Sequence, residues 1–187
     1  RGQPSSIEQK LGRAVHAFAS RRRGEAFDAF VALNPLELDL TIAGQVALAQ
    51  AELAARRDLD MALAKLDIAR LLAPGTLIEE AALRRQISIL STQKNFKRAD
   101  KLLEVYFRRY PKSGYAGAIK RQVVRFIPDR PPLKDLDEAQ GLVAAFDRLS
   151  RHDRLEIYLE MAKEGVMRAL DKWVRFAGAK ALELSTE

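Results

Sequence analysis

Residues 58–79, DLDMALAKLDIARLLAPGTLIE, carry the pattern on which the fold prediction rests. Apolar side chains recur every three or four positions between Leu59 and Leu72, which is the period of a helix with one buried face. We expect Asp58 to cap this helix and Pro74 to end it. Thr76 then begins a capping box for a second helix. The stretch therefore predicts two consecutive helices joined by a short turn.

The same pattern recurs along the chain. Pro35, Pro74 and Pro111 each follow an apolar helical stretch, and they stand 39 and 37 residues apart. Triplets of apolar residues at spacings of four and three precede two of these prolines, and a third triplet lies further on: Ala62, Leu66 and Ala69; Ala99, Leu103 and Tyr106; Ala169, Trp173 and Phe176. Such triplets are typical of tetratricopeptide-like repeats. We therefore predict an all-α fold, a tetratricopeptide-like α-solenoid of antiparallel helix pairs with about ten helices, in preference to a simple bundle.

The prolines also predict the organisation of the chain. Residues 1–127 are predicted to form the helical-repeat array, with helix pairs that close near the three prolines already named. Residues 128–133 form a Pro-rich corner, because three prolines in five residues exclude a regular helix. Residues 134–187 are predicted to form three further helices that pack on the array or extend it, at about 135–150, 152–165 and 166–184.

Composition argues against catalysis and against a bound cofactor. The chain has no Cys, which excludes a disulfide scaffold, Cys-based zinc sites and Cys nucleophiles. Its two histidines, His16 and His152, lie far apart and have no group of carboxylates near them in the sequence. No phosphate-binding or hydrolase motif occurs. We therefore predict a protein that is not an enzyme and that needs no metal or cofactor. The longest uncharged stretch, Leu40 to Ala51, is too short to cross a bilayer.

Positive charge is concentrated in the middle of the chain. Residues 80–130 carry 13 Lys and Arg against 4 Asp and Glu, a net charge of +9 in a chain of net charge +7. The predicted basic surface consists of Arg85, Lys97, Lys101, Arg108, Arg109, Lys120 and Arg121. It suits an acidic partner, and a solvated basic face is the alternative. Nucleic acid is disfavoured, because the aromatic residues lie at apolar helical spacing, where they pack into a core. The run Arg21-Arg22-Arg23 is interpreted as cations at a helix C-terminus.

A solenoid of helix pairs also predicts a groove for a partner, because the first helix of each pair lines the concave surface. The residues expected on that surface are Ala47, Ala51, Arg84, Ser88, Ser91, Gln122 and Arg125. The alanines leave room for a bulky guest, and the arginines make the other end basic. Such a groove suits an extended or helical segment with acidic flanks.

Three stretches resemble the MotC family of motility proteins from α-proteobacteria. The most specific is Leu66 to Arg85, LDIARLLAPGTLIEEAALRR. Gly44 to Ala51 and Arg108 to Gly117 are also similar to this family. The resemblance extends over about residues 43–120.

The resemblance implies a non-enzymatic, exported protein that is needed for flagellar rotation. It further implies a periplasmic scaffold or chaperone that binds the periplasmic part of the stator protein MotB. Because MotB grips peptidoglycan, the resemblance also implies that this chain lies near peptidoglycan. The chain begins at Arg1, and we expect a signal sequence to precede it. The alternative is a generic tetratricopeptide-like adaptor in envelope or cytoplasmic assembly, unrelated to motility.

Overall fold

The computed structural model describes residues 6–133 and 139–186, and in these residues the chain is helical without any strand. The α-helices are α1 Ser6–Ala19, α2 Arg23–Val31, α3 Leu40–Ala54, α4 Leu59–Leu72, α5 Leu77–Thr92, α6 Phe96–Arg109, α7 Ala116–Arg125, α8 Gln140–Phe146, α9 Arg151–Met167 and α10 Asp171–Thr186. Two 3₁₀ helices occupy Pro35–Glu37 and Ile127–Asp129. The prediction of an all-α fold with about ten helices is confirmed.

The chain divides into two compact units, Arg1–Arg85 and Gln86–Glu187. In the first unit, α1 packs on α2, α2 on α3, and α3 on α4, as expected for successive helix pairs. Its core contains Ala14, Phe30, Leu33 and Val46.

A buried glutamine joins α3 to the end of α2. The side-chain amide of Gln50 donates to the backbone oxygens of Phe30, at 2.6 Å, and Leu33, at 2.8 Å. Phe30 lies in the last turn of α2 and Leu33 just beyond it, so the side chain adds hydrogen bonds where the helix ends and its carbonyls lose their regular partners. Gln50 is 1% exposed, and the contact therefore fixes α3 against α2 inside the core.

The caps predicted around α4 and α5 are present. Asp58 Oδ1 accepts from the backbone N–H groups of Asp60 and Met61, both at 2.9 Å. The hydroxyl of Thr76 accepts from Ile78 N–H at 3.2 Å. Glu79 reaches one residue further back than in a standard capping box and accepts from the N–H of Gly75 at 2.6 Å.

In the second unit, α6 packs on α8, and α9 packs on both α7 and α10. A chain of edge-to-face aromatic contacts runs through its core, with ring centroids 5.4 Å apart for Phe146 and Tyr158, 6.0 Å for Tyr158 and Phe176, and 5.8 Å for Phe176 and Trp173. Burial raises the pKa of Tyr158 to about 12. These contacts join α8, α9 and α10 into one core.

A buried ion pair fastens the Pro-rich segment to α6. Arg130 donates to both carboxylate oxygens of Asp100, at 2.6 and 2.9 Å, and the two side chains are 6% and 7% exposed. The guanidinium also lies 4.5 Å from the centroid of the Phe96 ring. The 3₁₀ turn Ile127–Asp129 leads the chain from α7 into this segment. Residues 134–138, at the start of the predicted third-last helix, lie outside the described residues.

The third predicted repeat triplet is wrong. Ala169 is exposed and lies between α9 and α10 with a φ of 55°, so it is not part of either helix face. Helix α9 continues to Met167, beyond the predicted boundary at 165, and Leu170 N–H then closes the end by donating to Gly165 O at 2.8 Å. The chain turns where the left-handed residue ends the helix.

Candidate functional site

The residues predicted to form a groove have different environments. Ala47 and Ala51 are 0% and 1% exposed, and Ser91 is 6% exposed. The expectation that these alanines leave room for a guest is corrected, because small side chains here let helices approach closely inside the first unit. Arg84 and Gln122 are partly buried, and Ser88 and Arg125 are exposed. A partner-binding role for the exposed members stays a prediction.

The predicted basic surface is partly neutralised. Lys120 is only 16% exposed and lies 2.7 Å from a carboxylate oxygen of Asp153 and 2.6 Å from one of Glu156. Arg85 lies 3.2 Å from Glu52. The other members are exposed: Lys97, Lys101, Arg108, Arg109 and Arg121. Lys120 and Arg85 therefore contribute less to an electropositive surface than the sequence suggests.

The pKa values of the Lys120 cluster reflect this pairing. Burial alone lowers the pKa of Lys120, but the hydrogen bonds to Asp153 and Glu156 and the two negative charges outweigh it, so the pKa is raised. The hydrogen bond from Lys120, with a second from the Ser150 hydroxyl, lowers the pKa of Asp153. Each partner thus favours the charged form of the other, which is the behaviour of a structural ion pair.

A cavity of about 590 Å³ in the second unit is lined by three exposed lysines, of which Lys94 is paired with Asp129 at 3.7 Å. We call it the lysine cavity. Lys94, Lys97 and Lys101 are exposed at it, and Phe96 and Trp173 are among its apolar lining residues. Trp173 is 3% exposed, and its indole N–H is buried without a hydrogen-bond partner in the part of the chain that the structure describes. The cavity therefore combines lysines with an aromatic side chain that retains an unused donor.

A second cavity, of about 560 Å³, lies in the first unit and is dominated by arginine. We call it the arginine cavity. Its lining consists of Phe18, Ala19, Arg21, Arg23, Ala26, Glu52, Leu53, Arg56 and Arg57. Arg57 lies over the Phe27 ring at 4.3 Å from the centroid, and the single carboxylate of the lining, Glu52, is paired with Arg85.

Each cavity has a basic residue where the backbone favours glycine. Arg21 and Lys94 have φ values of 56° and 60°, in the left-handed region. The residue after each one closes the helix end: Arg22 N–H donates to Ala17 O at 3.0 Å, and Asn95 N–H donates to Leu90 O at 2.8 Å. Arg21 and Lys94 therefore end their helices in the same way. Glycine is the usual residue at such a helix end, because a side chain is strained there.

The sequence reasoning missed the arginine cavity. The sequence pattern places Arg21, Arg22 and Arg23 at the end of a helix and gives no separate role to the doublet Arg56-Arg57. The α1–α2 turn and the end of α3 bring the two groups to one cavity, although 33 residues separate Arg23 from Arg56. Two arginine runs at the ends of helices that pack together were the available signal.

The described residues contain no group of three His, Cys, Asp or Glu side chains that could hold a metal ion. No helix within residues 6–133 and 139–186 is both long enough and apolar enough to span a membrane.

Comparison with known proteins relates the chain to motility proteins. The family model described as Chemotaxis protein MotC matches residues 1–187. Chemotaxis protein MotC of Rhizobium meliloti (strain 1021) is 33% identical over 123 residues, which are 64% of this chain and 27% of that relative. The chain thus spans about a quarter of the length of the relative it matches. No solved structure matches it. Because the family model covers every residue, the chain belongs to the MotC family.

Proposed function

We propose that this chain is a non-enzymatic binding module in flagellar motility, and that it acts in the periplasm as a scaffold or chaperone for the periplasmic part of the stator protein MotB. Membership of a chemotaxis protein family supports the motility role. The identity of the partner and the compartment come from what the family resemblance implies.

The lysine cavity is the observation that carries the binding role. Lys97 and Lys101 stand one turn apart on α6 and are exposed, while Phe96 and Trp173 provide apolar surface beside them. A cationic rim around aromatic side chains suits a polypeptide that offers carboxylates and an apolar side chain.

A pull-down with the purified periplasmic segment of MotB tests the proposal. We expect retention that weakens as salt rises, because exposed charges are screened. The double variant Lys97→Glu/Lys101→Glu is expected to retain little MotB. The matched control Lys112→Glu/Lys163→Glu makes the same change in charge at exposed positions of the same unit that do not line the cavity. Equal retention by both double variants would refute a role for the lysine cavity.

A swimming assay separates the motility module from a generic adaptor. Deletion of the gene is expected to stop swimming, and the full-length protein with Lys97→Glu/Lys101→Glu is expected not to restore it. A deletion strain that swims normally would contradict the motility role.

A further inference from the structure

The arginine cavity has the character of a second binding site, separate from the lysine cavity. Arg21, Arg23 and Arg56 are exposed and form no ion pair within the described residues. The lining holds four arginines against one carboxylate, that of Glu52, so positive charges repel one another there and the excess is unfavourable for the folded chain alone. An anionic ligand relieves this repulsion.

The backbone gives independent support. Arg21 occupies a left-handed position, at φ 56°, where glycine would avoid strain. The following residue, Arg22, is the N-cap of α2, and it makes no side-chain capping hydrogen bond. A Ser, Thr, Asp or Asn usually fills that role. Arg22 does not line the cavity, and its guanidinium pairs with Glu25 at 2.7 Å, so it is the left-handed position of Arg21 that bears on the site, because strained residues cluster at functional sites.

The apolar part of the lining indicates what kind of anion fits. Phe18 is 42% exposed although it is a large apolar residue, and Leu53 is a further apolar member of the lining. A small inorganic anion leaves this surface uncovered. An acidic polypeptide segment with an apolar side chain among its carboxylates satisfies both the arginines and the apolar surface. Arginine matches carboxylates well, because its planar group can donate two parallel hydrogen bonds.

We propose that the arginine cavity of the first unit binds an acidic peptide segment that inserts an apolar side chain against Phe18 and Leu53. The site does not depend on the MotB assignment, because it lies in the other unit from the lysine cavity and its ligand is defined by chemistry alone. The carboxylates of the segment pair with Arg21, Arg23 and Arg56. The apolar side chain fills the cavity between them.

Fluorescence anisotropy with a labelled glutamate-rich peptide that has one central leucine tests this site. We expect saturable binding that weakens with salt. A peptide with glutamine in place of glutamate is expected not to bind, and one with serine in place of leucine is expected to bind more weakly. Arg23→Gln/Arg56→Gln is expected to weaken binding by about tenfold or more, as the loss of charged hydrogen bonds implies.

Two controls keep the outcome specific. Lys10→Gln/Arg13→Gln removes two exposed charges of α1 that do not line the cavity, and it is expected to bind the peptide normally. Lys97→Glu/Lys101→Glu is expected to bind it normally as well, so failure of this site is distinguishable from failure of the lysine cavity.

Arg21→Gly provides a readout that loss of folding cannot imitate. The substitution removes one cationic side chain and relieves the strained backbone, so we expect the thermal midpoint to rise while the affinity for the peptide falls. Ala169→Gly relieves the same strain in the second unit and is expected to raise stability without changing affinity.

Peptide binding unaffected by Arg23→Gln/Arg56→Gln would overturn the proposal. Equal competition by inorganic phosphate, by a single-stranded oligonucleotide or by anionic lipid vesicles would also overturn it, because the cavity would then select charge alone.

Discussion

The substitution Arg130→Met tests how the Pro-rich segment is held. It removes a guanidinium that donates two hydrogen bonds to Asp100 and leaves that carboxylate buried without its partner charge. Removing one member of a buried pair costs about 3–5 kcal/mol. Both side chains are less than a tenth exposed, so solvent screening does not reduce this figure. A domain is stable by only about 5–15 kcal/mol, and the variant is therefore expected to lose a large part of its stability.

The assay is urea unfolding followed by circular dichroism, with Arg175→Met as the control. Arg175 and Asp171 lie 3.1 Å apart, but their side chains are 80% and 74% exposed. Such a surface pair contributes about 0–1 kcal/mol, so the control is expected to unfold almost as the parent does. The double variant Asp100→Leu/Arg130→Met is expected to be more stable than Arg130→Met, because no charge is then left buried alone. If Arg130→Met cost no more than Arg175→Met, the buried pair would not be what holds the segment.

Three further predictions concern other parts of the chain. Gly44→Ala places a Cβ 2.7 Å from the Cβ of Ala73, which is too close without movement of the helices. Alanine favours a helix more than glycine does, and with that gain included we expect the free energy of unfolding, measured by a thermal melt, to fall by about 1–2 kcal/mol. Arg21→Gly is expected to gain about 0.5–1 kcal/mol, because relief of the left-handed backbone exceeds the entropic cost of glycine, and an unchanged or lower midpoint would contradict this. The pKa of Asp153 is lowered in the folded chain, so its ionised form stabilises the fold above the ordinary Asp pKa of about 4, and this stability is lost as pH falls through the lower folded value. In urea unfolding at a series of acidic pH values, the free energy of unfolding of Asp153→Asn should therefore fall less steeply with pH than that of the parent. The raised pKa of Lys120 acts at the other end, contributing stability at neutral pH that is lost only at strongly alkaline pH.

Helix positions were predictable because local signals agree with one another. The apolar spacing predicts helices at about 77–92 and 96–109, and the structure has helices at Leu77–Thr92 and Phe96–Arg109. Thr76 and Asn95 mark their starts with capping side chains, and each helix has an apolar face with the period that burial requires. The signal is local, and a single sequence is sufficient to read it.

Helix ends without glycine were harder to predict. Lys94 and Ala169 both end helices in the left-handed conformation, although neither residue favours it. At Lys94 the adjacent Asn95 favours a turn, which the sequence shows. Ala169 has no such neighbour, and its spacing from Trp173 and Phe176 wrongly predicts a repeat position. Val174 approaches Gly165 so closely that a Cβ at residue 165 would lie 2.8 Å from the Val174 side chain, and this contact between α9 and α10 has no local signal in the sequence.

The candidate site was less predictable than the fold, because it depends on which charges remain unpaired. Lys120 and Lys97 look alike in the sequence, yet the former is enclosed by two carboxylates from α9 and the latter is exposed at a cavity. The two alanines of the predicted groove show the same difficulty. From the sequence alone, a small side chain predicts free space beside the helix, but in the folded chain other side chains of the core fill that space.

The most direct test of a binding module is a calorimetric titration of this chain with the periplasmic segment of MotB at low and at high salt. We expect saturable binding at low salt, weaker binding at high salt, and loss of binding in Lys97→Glu/Lys101→Glu but not in Lys112→Glu/Lys163→Glu. The absence of any binding heat at low salt, with both proteins folded, would contradict the proposed function.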